Sequence, residues 1–383
     1  MSHHALACLF LPLVALVAVA DPPDDKKVAR LIEQLGSDRF EERESASKAL
    51  GELGEPALPA LRKALRSDDA EVVRRAEALV RVVERRLFGE LAVCSGHQGQ
   101  VVAVVVSADG KRILSGAKDR TLRLWDLDGK ELRKFEGQGT EVWSVALSPD
   151  GKRAVSGGPG HFVILWDVEA GRELRRFDSV AGGAVRCLAF TPDGQRVFGG
   201  SYDHKARLWD ADSGKELHVF EGHADSIMSL AVSPDGKYGV TGGGQGDRTL
   251  RLWDLETGKE VRKFEGHQER IMGVSFSADG KRVVSGSWDK TACVWDAATG
   301  KLVCRMSGHP DRVFGVAFAP DGKRVISAGG DGALRLWDVT TAAELRHYVG
   351  HEGALSEVRV TPDGKRIVSG GTDGSVRIWS LTK

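Results

Sequence analysis

Apolar positions along the chain follow three regimes. From 5 to 20 they run without a single charge, and the chain then turns polar at Asp21, Pro22, Pro23, Asp24 and Asp25. Ala18, Val19 and Ala20 meet the small-x-small rule of signal-peptidase cleavage. The run is broken by Pro12 and is shorter than the roughly 20 residues a bilayer span needs. Residues 1–20 are therefore expected to be an export signal, with an uncleaved anchor as the other reading because Met1–His4 lacks Lys and Arg. From 25 to 87 the apolar residues recur at helical spacing, as in Val28, Leu31, Ile32 and Leu35. This predicts helices near 26–36, 39–52, 56–66 and 69–87. Asp38 with Glu41, and Asp68 with Glu71, read as capping-box starts, and Pro56 suits a first helical turn. Gly51 and Gly54 are expected to part the second helix from the third. Beyond residue 90 the period changes again, to short β-rich runs such as 313–317 and 324–327 separated by turns.

Those runs repeat. Trp-Asp pairs fall at Trp125, Trp166, Trp209, Trp253, Trp295 and Trp337, with Trp379-Ser380 in the seventh position, at intervals of 41 to 44 residues. Each unit carries a turn: Ser-Ala-Asp-Gly-Lys-Arg at 107–112, Ser-Pro-Asp-Gly-Lys-Arg at 148–153, and matching turns at 191, 233, 277, 319 and 361. Pro pre-sets the first angle of such a turn, and Gly takes its left-handed position. Gly-His recurs at His97, His223, His267, His309 and His351. A 40–45-residue period with Gly-His and Trp-Asp is a propeller signature, and residues 90–383 resemble the WD-repeat β-propellers. The resemblance implies an all-β fold, a seven-bladed β-propeller. The segment 25–87, with its paired short helices, resembles HEAT-like repeats, so a small all-α helical-repeat segment is expected to precede the propeller. The last unit stops without an outermost strand, and a matching segment stands at 90–97. Blade seven is expected to combine both ends of the domain, which removes exposed ladder edges.

Ser, His and Asp recur with Trp as His97, Ser115, Asp119 and Trp125; His267, Ser285, Asp289 and Trp295; His309, Ser327, Asp331 and Trp337; and His351, Ser369, Asp373 and Trp379. Unit four has Thr241 for Ser and delays Asp247 by two residues. A hydrolase triad would be a single constellation. A set copied in most blades reads as structure, and the family resemblance implies a buried hydrogen-bonded tetrad in each. Units two and three are degenerate, with Gln138 and Gly160 in one and Ala181 and Gly199 in the other.

In WD-repeat proteins three positions per repeat face the loop end of the channel. Carried over here, they place Trp143, Arg186, Tyr202, Met228, Arg270, Met272, Trp288, Arg312 and Phe314 in a partner-binding belt. Aromatics, Met and Arg are the types enriched in interface cores, and the arginines suit an acidic protein or peptide segment. The other reading of these side chains is that they narrow the channel and are half buried.

Composition narrows the field further. The chain has 383 residues, with 54 Lys+Arg against 54 Asp+Glu. That balance, without a long basic block, argues against nucleic acid as partner, and no further segment is long and apolar enough to span a membrane once the signal is removed. Cys94, Cys187, Cys293 and Cys304 contain no Cys-x-x-Cys. Counted outward from the turn 296–301, Cys293 faces Cys304, which leaves a cross-strand disulfide and two free thiols as alternatives. No catalytic residue, cofactor or metal ligand is expected. The reading is an extracytoplasmic, non-catalytic interaction scaffold; the alternative is a propeller hydrolase or lyase with a site at the channel mouth, and a structural spacer is a third.

Overall fold

The computed structural model describes residues 25–178 and 183–381. The expected signal at 1–20 and Ala181 lie outside the described residues. The chain divides into two compact units, one ending at Val83 and the other starting at Glu84.

The first unit holds α1 (Asp25–Gln34), α2 (Phe40–Leu53), α3 (Leu58–Ala64) and most of α4 (Ala70–Phe88). Its core is Val28, Leu35, Ala46, Leu50, Ala57, Leu61, Val72 and Ala76. Four local expectations fail here. Gly51 lies inside α2, and the helix ends at Gly54, whose φ of 68° lets its N–H reach back to the Leu50 carbonyl. Pro56 belongs to a short 3₁₀ turn, Glu55–Ala57, ahead of α3. The cap of α4 is Asp69 rather than Asp68: Asp69 Oδ1 accepts the N–H groups of Glu71 at 2.8 Å and Val72 at 3.3 Å. A capping oxygen must sit at the residue flanking the helix to reach these two amides, and Asp68 is one residue too early. No side chain caps α2, which follows Arg39 directly.

The second unit is a seven-bladed β-propeller, each blade a four-stranded antiparallel sheet. Blade one runs Val101–Val106, Arg112–Ala117, Leu122–Asp126 and Glu131–Phe135 from the axis outward. The first turn of each blade is held from within. In blade one Ser107 Oγ donates to Asp109 Oδ1 at 2.5 Å and accepts the Arg112 N–H at 3.0 Å, while Gly110 takes φ +68°. Large side chains between blades make the core, with Trp125, Trp166, Trp253, Trp295 and Trp337 each 1% exposed.

Closure follows the expected scheme. Glu90–Cys94 is the outermost strand of the last sheet and pairs antiparallel with Val376–Ser380, Cys94 opposite Val376. An ion pair from Arg377 to Glu90 stitches the two ends. The same arginine–glutamate link joins third and fourth strands elsewhere, as Arg123–Glu131 at 2.5 Å and Arg251–Glu260 at 2.5 Å. Blades two and five have Ile164 and Cys293 where that arginine stands, and the fourth strand supplies one instead. Arg176, opposite Ile164, covers the Phe162 ring at 4.3 Å, and Arg305, opposite Cys293, reaches the Gly266 carbonyl at 2.9 Å.

The fourth strand carries a β-bulge in blade five that defeats outward counting. Trp295 faces Leu302, yet Val294 faces Cys304 and Cys293 faces Arg305. The extra residue turns the two cysteines away from one another, and both are free thiols.

Deleting Glu90–Cys94 leaves Val376–Ser380 as a bare edge and removes the Arg377–Glu90 link. The expected outcome in a thermal melt is a fall of more than about 5 °C, the shift that a loss of a few kcal/mol produces in a domain of this class.

Candidate functional site

Strand alternation sends the tetrad side chains into the blade. In blade five His267 Nδ1 lies 2.7 Å from Asp289 Oδ2 and Nε2 2.7 Å from Ser285 Oγ, which accepts the Trp295 indole N–H at 2.8 Å. Blades one and seven repeat this, with His97–Asp119 and His351–Asp373 both at 2.9 Å. Blade four builds it on Thr241, which lies 2.7 Å from His223 Nε2 and accepts the Trp253 N–H at 2.8 Å. Its His223 Nδ1 stands 3.1 Å from Asp247, out of line for a hydrogen bond. Each serine or threonine hydroxyl is thus occupied on both sides, unlike a nucleophile awaiting substrate.

Blade six departs from the expected pattern. His309 Nε2 and the Trp337 indole meet Ser327 at 2.6 and 2.7 Å, but Asp331 lies 3.5 Å from His309 Nδ1. The Arg335 guanidinium stands between them, 2.6 Å from Nδ1 and 2.8 Å from Asp331 Oδ2. The cause is one residue. In blades one, five and seven a hydroxyl, Thr121, Thr291 or Ser375, donates to the tetrad aspartate and holds it toward the histidine. Ala333 has none, so the aspartate turns to the arginine. Blade three, with Lys205 at that place, does the same through Asp203 and Arg207 at 2.6 Å. The Arg335 donor makes His309 Nδ1 an acceptor, so in the neutral ring the proton sits on Nε2. In blade two Gln138 is fully buried and its Oε1 accepts the Ser156 hydroxyl at 2.6 Å, a reduced version of the motif.

The belt residues separate into three groups. Trp288, Phe314, Arg270 and Arg312 meet between blades five and six. The two rings are edge-to-face at 5.9 Å, and the two guanidiniums stack on Trp288 at 4.2 and 4.0 Å. Trp143 and Tyr202 form a second edge-to-face pair at 5.6 Å, with the Trp143 N–H donated to Glu141 at 2.8 Å. Arg186, Met228 and Met272 line the tunnel with Trp143. Met228 is only 5% exposed and belongs to the tunnel wall, whereas Tyr202 is 39% exposed.

Comparison with known families accounts for this arrangement. The "WD domain, G-beta repeat" model matches seven times, at 88–126, 129–167, 171–210, 214–254, 258–296, 300–338 and 343–380. The chain belongs to the WD-repeat family. A HEAT-repeat model matches residues 12–80. Over 39 residues, 10% of this chain, it is 49% identical to human WD repeat-containing protein 18, and the match covers 9% of that protein. WD-repeat propellers generally serve as protein-interaction scaffolds.

This WD-repeat chain also has a tunnel whose asymmetry the sequence reading missed. Strand register puts Ala103, Ser144, Cys187, Ser229, Gly273, Gly315 and Glu357 at one level of the inner wall. Two residues further, Ala189, Ala231, Ser275 and Ala317 stand level with Arg359. Blade seven therefore sends an ion pair, Arg359–Glu357 at 2.5 Å, into a ring of small residues, and the cavity that remains is about 40 Å³. Aligning the seven inner strands column by column would have exposed both. Burial pushes the Cys187 thiol in this wall up to about 12, so it is no thiolate nucleophile. Among the described residues no three potential metal ligands cluster.

The tetrads carry an acid-lability signature. Burial holds His97, His309 and His351 below their ordinary 6.5. Burial opposes ionisation of Asp373, but the Ser375 amide and His351 outweigh it and hold the carboxyl at about 2. Below pH 6.5 the unfolded histidines bind protons that the folded ones refuse, so stability falls as pH falls. The lowered Asp373 adds a second loss below its unfolded value of 3.8. A pH series of melts should show the midpoint declining from pH 7 toward pH 5 and again below about pH 4; a flat profile would remove the buried, neutral histidines from the account.

Proposed function

We propose that this WD-repeat chain is a non-catalytic, extracytoplasmic scaffold that captures an acidic protein segment on the loop face of its propeller. One observation carries the reading. The loop face holds a non-repeated aromatic and arginine cluster, Trp288 with Phe314, Arg270 and Arg312, on a frame whose repeated hydroxyls are engaged inside the blades. Rigid aromatic anchors with adjacent guanidiniums are the chemistry of interface hot spots. The extracytoplasmic assignment rests on the apolar run at 5–20 and its cleavage-like end. No helix among the described residues is long and apolar enough to cross a membrane. The tunnel, where a propeller hydrolase or lyase would place its chemistry, offers a carboxylate already paired with Arg359 and a buried thiol, which favours the scaffold.

The test compares capture of proteins from an extracytoplasmic extract by three forms: wild type, W288A/F314A, and K281A/K323A in exposed first turns on the opposite face. The expected result is a partner set lost with W288A/F314A and kept with K281A/K323A, with both melting within a few degrees of wild type. Identical capture by all three would overturn the reading.

A further inference from the structure

The cluster between blades five and six has a geometry that specifies more than acidity. Arg270 enters the inner strand Ile271–Phe276, and Arg312 enters the next blade's inner strand, Val313–Phe318. Trp288 projects from the turn after Arg282–Ser287 in blade five. The two guanidiniums lie 4.2 and 4.0 Å from the Trp288 ring centre. Their charged carbons are therefore at most about 8 Å apart, the sum of those two distances.

Neither guanidinium pairs with a carboxylate among the described residues. Two nearby acids are already engaged. Asp289 faces His267 at 2.7 Å and Arg305 at 3.7 Å, and Asp311 Oδ1 accepts the backbone N–H of Arg312 at 2.8 Å. Lys290, at φ +70°, donates to the Pro310 carbonyl at 2.9 Å and adds a third positive charge. Two donors shielded from water, Trp288 Nε1 and Arg270 Nε, have no acceptor. Like charges held together, and buried donors left unmet, are costly unless a ligand completes them.

We propose that this cluster recognises an extended acidic segment with carboxylates at positions i and i+2, one on each guanidinium beside the Trp288 ring. An extended chain rises about 3.3 Å per residue and presents i and i+2 on one face, roughly 6.6 Å apart. That spacing lies within the limit set by two guanidiniums on one indole, given the reach of the carboxylate stems. Adjacent acidic residues point to opposite faces and engage one arginine at a time. A pair four residues apart overshoots. The proposal rests on the loop-face reading above and deepens it.

The test uses the full chain and fluorescently labelled peptide pools with randomised flanks, fixed at the centre as Glu-x-Glu, Glu-Glu, Glu-x-x-x-Glu, Gln-x-Gln, or a lone phosphoserine. The expected order puts Glu-x-Glu at least tenfold tighter than Gln-x-Gln and severalfold tighter than the other two glutamate pools. R270Q and R312Q each abolish the preference for Glu-x-Glu over Glu-Glu without moving the melting midpoint. Arg312 is solvent-exposed, so R312Q alone suffices if R270Q folds poorly. Equal binding by all pools, binding by none, a phosphoserine pool that binds tightest, or a preference that survives R312Q would each overturn the proposal. If protein capture is still lost in W288A/F314A under any of these outcomes, the scaffold reading stands and only the spacing rule falls.

Discussion

A hydroxyl at the heart of the blade is the pivot of this fold. It accepts an indole N–H from the third strand and meets an imidazole arriving from the loop that leads into the blade, so three separate stretches of sequence converge on one oxygen. Buried polar groups of this kind are costly unless every partner is present. When all are present, they specify one arrangement of strands. Ser115, Thr241, Ser285, Ser327 and Ser369 all play this part, and their engagement is why a Ser–His–Asp inventory here describes architecture and not hydrolysis.

Rigidity in the frame leaves variation to the ends of the strands. Positions that repeat are those that close turns or blades, such as Asp109 and its Ser107 partner. Positions that differ from blade to blade gather on the loop face and in the tunnel. Trp288 with its two arginines occurs between one pair of blades, and Glu357 with Arg359 comes from a single inner strand. Symmetry in the framework thus makes asymmetry at the site legible.

Much of the fold could be read before any coordinates, because the Trp-Asp spacing and the Asp-Gly turns are local and repeated seven times. The closing strand was legible for the same reason: the last unit lacks a segment that the first has in excess. Failures came where one residue alters register or rotamer. The bulge ahead of Cys304 shifts the pairing by one place, and counting from a turn does not reveal it. The Arg335 wedge depends on Ala333, a missing hydroxyl whose effect is felt by an aspartate two residues away. The cap at Asp69 lay one residue from the expected Asp68. For the site, residue types were readable and their grouping was not: Met228 and Met272 line the tunnel, while Trp288 and Phe314 pair across neighbouring blades.

Indole proton exchange tests the central role of the buried hydroxyl most directly. Trp125, Trp253, Trp295, Trp337 and Trp379 each donate to a tetrad hydroxyl, whereas in blade three the hydroxyl's place is taken by Gly199, which offers Trp209 no such acceptor. Solvent exchange of the assigned indole N–H signals should be slow for those five and clearly faster for Trp209. A Trp209 proton as protected as the others, or five fast ones, would contradict the account.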